Sequence, residues 1–180
     1  MYTFQKHYHD VVQQDLILSN NISTVSTIPK LIKINIALGG SSSDHNYVVS
    51  TAAALKIIAD QKPFFTQQKA TRAKISTLKE SVGTKLTIRG SKMYSFLYKI
   101  LFEVMPYIKQ FEGLRLPRHK KIYCFCLNDI FVFQELVPLF SFFEDLGTIQ
   151  FQFHFTTKNV EDVLVLGSGL QLCFKYSGKQ

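Results

Sequence analysis

The sequence predicts an α+β fold, a mainly antiparallel sheet with helices packed on one face, as a single domain over residues 1–180. Strict apolar alternation recurs in three separate runs: Ile34, Ile36, Leu38; then Leu86, Ile88; then Ile149, Phe151, Phe153, Phe155. Period two is the mark of a strand with one buried face. Between the second and third runs, Met93, Phe96, Leu97, Ile100, Leu101, Val104 and Ile108 fall at helical spacing. With 180 residues, 46% apolar and 19% charged, the chain has the composition to bury one ordinary core.

Taken in order, residues 3–18 place Phe4, Tyr8, Val11, Val12 and Leu16 on a helical period, with His7, His9 and Asp10 on the wet side. Pro29 opens a half-buried strand from Lys30 to Leu38, in which Lys33, Asn35 and Ala37 take the outer face. Gly39-Gly40-Ser41-Ser42-Ser43 reads as a turn, because it lacks the Gly-Lys-Ser/Thr ending of a nucleotide-binding loop. Asp44 caps a helix that runs to about Asp60. From Lys62 to Arg89 the chain is strand-like and basic, and in Lys85-Leu86-Thr87-Ile88-Arg89 the donors Lys85, Thr87 and Arg89 all face outward. Gly90-Ser91 ends that strand and opens the long helix, whose last turn Pro106 shortens or kinks. A basic loop spans Gly113 to Arg118. Ile122 to Leu127 and Ile149 to Phe155 are strands, and residues 158–166 form a short helix capped by Asn159.

Charge is concentrated in one third of the chain. Residues 61–121 carry fourteen Lys/Arg against three Asp/Glu, whereas residues 1–60 are neutral and residues 122–180 carry −3. Clustered cations gain affinity for phosphates by releasing condensed counterions, so this is the footprint of a polyanion binder; the plain alternative is a solvated lysine-rich surface. If the strands share a sheet, its uncovered face collects Lys33, Asn35, Lys85, Thr87, Arg89, Gln150, Gln152 and His154, an array of donors and acceptors suited to RNA backbone and ribose hydroxyls.

Other chemistries find little support. Cys124, Cys126 and Cys173 lack the spacing of a zinc site or a disulfide framework and read as buried thiols behaving as small apolar residues. No metal or other cofactor is implied. Glu144-Asp145 and Glu161-Asp162 are adjacent pairs with diverging side chains, and no nucleophile elbow or Ser/His/Asp order is visible. No apolar run reaches the length of a membrane span, so no membrane partner is expected. Nothing at the N-terminus resembles a signal or transit peptide. Seventeen Lys against four Arg, with sixteen Phe and eight Tyr, look like the drift of an A+T-rich genome.

Four anchors in order resemble a known family. Thr84-Lys-Leu-Thr-Ile-Arg-Gly-Ser-Lys-Met-Tyr-Ser-Phe-Leu-Tyr-Lys-Ile-Leu101, followed by Pro106-Tyr-Ile-Lys-Gln-Phe-Glu-Gly113, is similar to the strand-Arg-Gly-helix signature of the L-five family of large-subunit ribosomal proteins. Asp60-Gln61-Lys62-Pro63 resembles its G-Q-K-P, and Pro29-Lys30-Leu31-Ile32-Lys33-Ile34 its P-k-L-x-K-I. Tyr8-His-Asp-Val-Val-Gln-Gln-Asp-Leu-Ile-Leu18 and Leu166-Gly-Ser-Gly-Leu-Gln171 look like the two ends of mitochondrial members from plants and algae, which extends the resemblance over the whole chain.

The resemblance implies a non-enzymatic constituent of the large subunit. It would bind 5S rRNA and an adjacent large-subunit rRNA helix beside neighbouring central-protuberance proteins, and approach the peptidyl-site tRNA. It further implies an organelle-encoded protein of the mitochondrial matrix, within the mitochondrial ribosome. Carried over by position, the 5S contacts are Gln61, Thr87 and Arg89. The family's strand asparagine falls on Ala37, and Asn35, two places earlier on the same face, is the candidate to replace it. Arg72, Lys74 and Lys79 lie in the region that approaches tRNA, and Lys33, Lys62, Lys69, Lys85 and Lys92 complete the cationic set. The family's F-D-G-x-G-N-Y stretch has no counterpart around residues 115–130.

Two other readings compete with this one. An RNA-processing enzyme or a generic RNA binder on the same scaffold would share the basic surface, but the enzyme needs convergent acid/base or metal groups. A protein-binding adaptor would use the Phe-rich stretch Ile130 to Phe143, which reads better as core.

Overall fold

The computed structural model describes residues 4–20, 22, 24–39, 44–67 and 81–175. The N-terminal helical segment runs through α1 (Phe4–His7), a π-helical turn (Tyr8–Val12) and α2 (Gln13–Ser19). Then follow β1 (Lys30–Gly39), α3 (His45–Ala59), β2 (Phe64–Gln67) and β3 (Ser81–Ile88). The long amphipathic run is α4 (Ser91–Tyr98), continued by a π-helical turn (Lys99–Val104) and a 3-10 turn (Met105–Tyr107) that contains Pro106. The rest comprises β4 (Ile122–Leu127), two 3-10 segments (Ile130–Val132 and Gln134–Leu139), α5 (Phe140–Phe143), β5 (Ile149–Thr156) and α6 (Val160–Gly169).

The strands form a five-stranded antiparallel sheet in the order β2-β3-β1-β5-β4, with helices packed on it, as the α+β expectation requires. Two compact units divide the chain: Met1–Ile34 with Ile88–Phe125 and Gln152–Gln180, and Asn35–Thr87 with Cys126–Phe151.

In the first unit, α1 packs on α4, and the π-helical turn at Tyr8–Val12 packs on α6. The buried Tyr8 hydroxyl donates to the Pro29 carbonyl at 2.9 Å, and its ring lies 5.9 Å from that of Tyr94. His7 Nε2 donates to the Gly169 carbonyl at 3.1 Å. Asn159 and Asp162 close the start of α6 as a reciprocal capping box. In the second unit, α3 packs against β2, α5 and the 3-10 segment Gln134–Leu139. Val48, Ala54, Leu55 and Ile58 on α3, together with Ile36, Leu38, Leu86, Phe133 and Phe151, are buried.

Five details depart from the sequence expectation. Asn35 is buried at 5% exposure, although alternation places it on the open face. The three cysteines are exposed rather than buried; on β4, Tyr123 and Leu127 take the inner side and turn Cys124 and Cys126 outward. Val11 is exposed: the wider π turn shifts the apolar stripe to Tyr8, Val12 and Leu16 at every fourth residue. Asp44 occupies the cap position of α3, but its side chain makes no capping hydrogen bond. The Phe-rich stretch is only partly core, with Ile130, Phe133, Leu136 and Phe143 buried and Val137, Leu139, Phe140 and Phe142 exposed.

Candidate nucleic-acid interface

The second unit brings Asn35, Gln61 and Thr87 into one hydrogen-bonded group. Asp60 stops α3 in a left-handed conformation (φ 48°, ψ 37°), which an Asp tolerates better than most residues, and turns the chain so that Gln61 and Lys62 precede β2. β2 pairs antiparallel with β3 in the register Phe64↔Lys85, Phe65↔Thr84 and Thr66↔Gly83. Thr87 lies beyond that pairing. Its backbone carbonyl is taken instead by Gln61, whose Nε2 donates to it at 3.2 Å. A carbonyl only accepts, so this bond fixes the orientation of the Gln61 amide and leaves Oε1 as its acceptor.

The Thr87 hydroxyl donates to Asn35 Oδ1 at 2.9 Å. With its one proton committed to a buried partner, that hydroxyl has only lone pairs to offer a ligand. The group therefore presents acceptors, with the second Gln61 Nε2 proton beside them. Lys62 and Lys85, both exposed in the same unit, present cations beside it. Acceptors read ribose 2′-hydroxyls and base N–H groups, and ammonium groups neutralise phosphate. That pairing of chemistries fits RNA better than either a metal or a deep organic ligand.

Of the other residues singled out from the sequence, Lys33, Arg89 and Lys92 belong to the first unit. Lys33 is half-buried in β1, Arg89 is exposed immediately after β3, and Lys92 is exposed in the first turn of α4. Gln150, Gln152 and His154 are half-buried along β5. Lys69, Arg72, Lys74 and Lys79 lie outside the described residues. Among the described residues no group of three or more His, Cys, Asp or Glu is placed to hold a metal ion, and no helix is long and apolar enough to cross a membrane. In the first unit, burial pushes the Tyr8 and Tyr123 hydroxyls up to about 12, and Tyr94 is raised by the same cause.

One aromatic residue on this face is not legible from local alternation. Phe64 stands opposite Lys85, and only the strand register places it there.

Comparison with known proteins identifies the family. The family model for the C-terminus of the ribosomal L-five-P family matches residues 81–174. A mitochondrial large ribosomal subunit protein uL5m of Reclinomonas americana is 27% identical over 96% of this chain and 97% of its own length. Large ribosomal subunit protein uL5 of Thermotoga sp. (strain RQ2) is 32% identical over 73% of this chain and 74% of its own. That of Mycoplasma pneumoniae is 30% identical over 76% and 79%. The enzyme alternative falls with these matches, since uL5 is a structural and not a catalytic family. The strand, the Arg-Gly turn and the helix that follows it lie inside the matched segment, and the chain belongs to the uL5 family of large-subunit ribosomal proteins.

Proposed function

We propose that this chain is a structural constituent of the large subunit of a mitochondrial ribosome. There, as one rRNA-binding domain over residues 1–180, it holds 5S rRNA and adjacent large-subunit rRNA in the central protuberance. The carrying observation is the Asn35–Thr87–Gln61 group with Lys62 and Lys85 beside it. It positions RNA and performs no chemistry: lysines neutralise phosphates, and the fixed acceptors set register. Arg89 adds a charge-assisted contact. Arg72, Lys74 and Lys79 are the residues assigned to the peptidyl-site tRNA, Lys69 belongs to the rRNA-binding set, and neighbouring central-protuberance proteins are the protein partners. The mitochondrial assignment is supported by the Reclinomonas relative, which aligns over nearly the full chain.

The test is a salt-titrated binding assay of the purified protein against 5S rRNA of its own compartment, with a size-matched structured RNA as competitor. Preference for 5S rRNA that survives physiological salt is expected. Arg89→Ala is expected to weaken that binding by about 1–3 kcal/mol while leaving the fold intact. Equal affinity for both RNAs would remove the 5S assignment.

A further inference from the structure

We infer that Phe64 is a stacking platform for an unpaired base of the bound rRNA, with Lys85 as its phosphate-binding neighbour. The inference rests on the RNA-binding reading above and adds to it a residue chosen by the geometry. Among the described residues β2 is an edge strand, the first in the sheet order, and its four residues Phe-Phe-Thr-Gln carry no charge. A register shift at Thr66/Gln67 interrupts the pairing at the end of β2, one of the ways an edge strand is blunted, and the exposed ring of Phe64 stands ahead of it in the regularly paired part.

Phe64 is 73% exposed. Its register partner is Lys85, and directly opposed residues in an antiparallel pair project to the same face with their Cβ atoms about 5 Å apart. Thr87 shares that face with Lys85, two residues along the pleat. A flat apolar ring therefore lies beside an ammonium group and next to a set of fixed acceptors, all within one unit. Phe65, its neighbour in β2, projects to the opposite face with Thr84, which is 1% exposed, and is not part of this surface.

Charge selects the occupant. Phe140 and Phe142 are exposed in the same unit, but the nearby ionisable residues there are Glu135, Glu144 and Asp145, with no Lys or Arg between residues 129 and 157. Phe64 has Lys62 two residues before it and Lys85 opposite it. A base attached to a phosphodiester chain satisfies both the ring and the cations; every base has a π-face, so this contact adds affinity with little sequence preference.

The experiment compares Phe64→Leu, Phe64→Tyr and Lys85→Ala with the parent in the salt-titrated 5S rRNA assay. Phe64→Leu keeps an apolar side chain but no ring, and is expected to bind about 5- to 100-fold more weakly with an unchanged salt slope. Phe64→Tyr is expected to bind like the parent. Lys85→Ala is expected to reduce the salt slope by about one. Parent-like affinity of Phe64→Leu, or an equal loss in Phe64→Tyr, overturns the stacking role while selective binding by the parent leaves the ribosomal reading in place. Absence of selective RNA binding by the parent removes the reading and this inference together.

Discussion

Thr84 and Thr87 lie three residues apart on β3, on opposite faces, and the same substitution is expected to act on them with opposite sign. Thr84 is buried, and among the described residues its hydroxyl has no hydrogen-bond partner. An unsatisfied buried hydroxyl costs about 1–3 kcal/mol, and Val has the same shape without it, so Thr84→Val is expected to raise the denaturant midpoint. Thr87→Val would leave the buried Asn35 one hydrogen bond short, and is expected to lower the midpoint by a free energy of similar size. Chemical denaturation of the two variants side by side checks both; equal shifts would contradict the hydrogen-bond assignment. Half of this contrast is legible in the residues themselves. Alternation sorts Leu86 and Ile88 inward and Lys85 and Thr87 outward, as found, but it says nothing of what covers the outer face. Asn35 is therefore legible as a residue of the right strand and face pattern, and illegible as a buried partner of Thr87.

At the scale of elements, the long helix is the most completely legible. Met93, Phe96, Leu97, Ile100, Leu101 and Val104 are all buried, and the sequence spacing names each of them; Ile108, named by the same spacing, is extended past the last turn and only half-buried. Leu97 is fully buried, so Leu97→Ala is expected to cost about 2–5 kcal/mol through a core cavity, read as a lowered melting temperature. An unchanged melting temperature would mean that another face of the helix is the buried one. Spacing cannot reveal the π-helical turns at Tyr8–Val12 and Lys99–Val104, because a single extra residue per turn is set by packing and not by any residue type. β4 is ambiguous for a related reason. Two cysteines at i and i+2 share a face, but which face is buried is decided by the larger Tyr123 and Leu127.

For the whole molecule, the segregation of charge is fully legible, whereas the division of the chain into two compact units leaves no mark in composition or linkers. Three raised tyrosines, Tyr8, Tyr94 and Tyr123, all belong to the first unit. A hydroxyl that ionises near 10 in the unfolded chain and higher in the folded one releases its proton first on unfolding. Stability is then fully present below pH 10 and is lost as pH rises toward about 12, where Tyr8 and Tyr123 ionise in the native state. Thermal melts between pH 9 and 12 are expected to show that fall, and Tyr8→Phe to reduce its steepness; a flat profile would contradict the burial assigned to these rings.

Gly83 constrains the gene as well as the fold. A Cβ at this position would come within 2.6 Å of the Leu38 carbonyl oxygen and 2.7 Å of the Gly39 Cα, and backbone atoms cannot swing aside as a side-chain tip can. Every glycine codon begins with two guanines, and changing either one installs a side chain or a stop. That pair of guanines is held in place by the closeness of two strands.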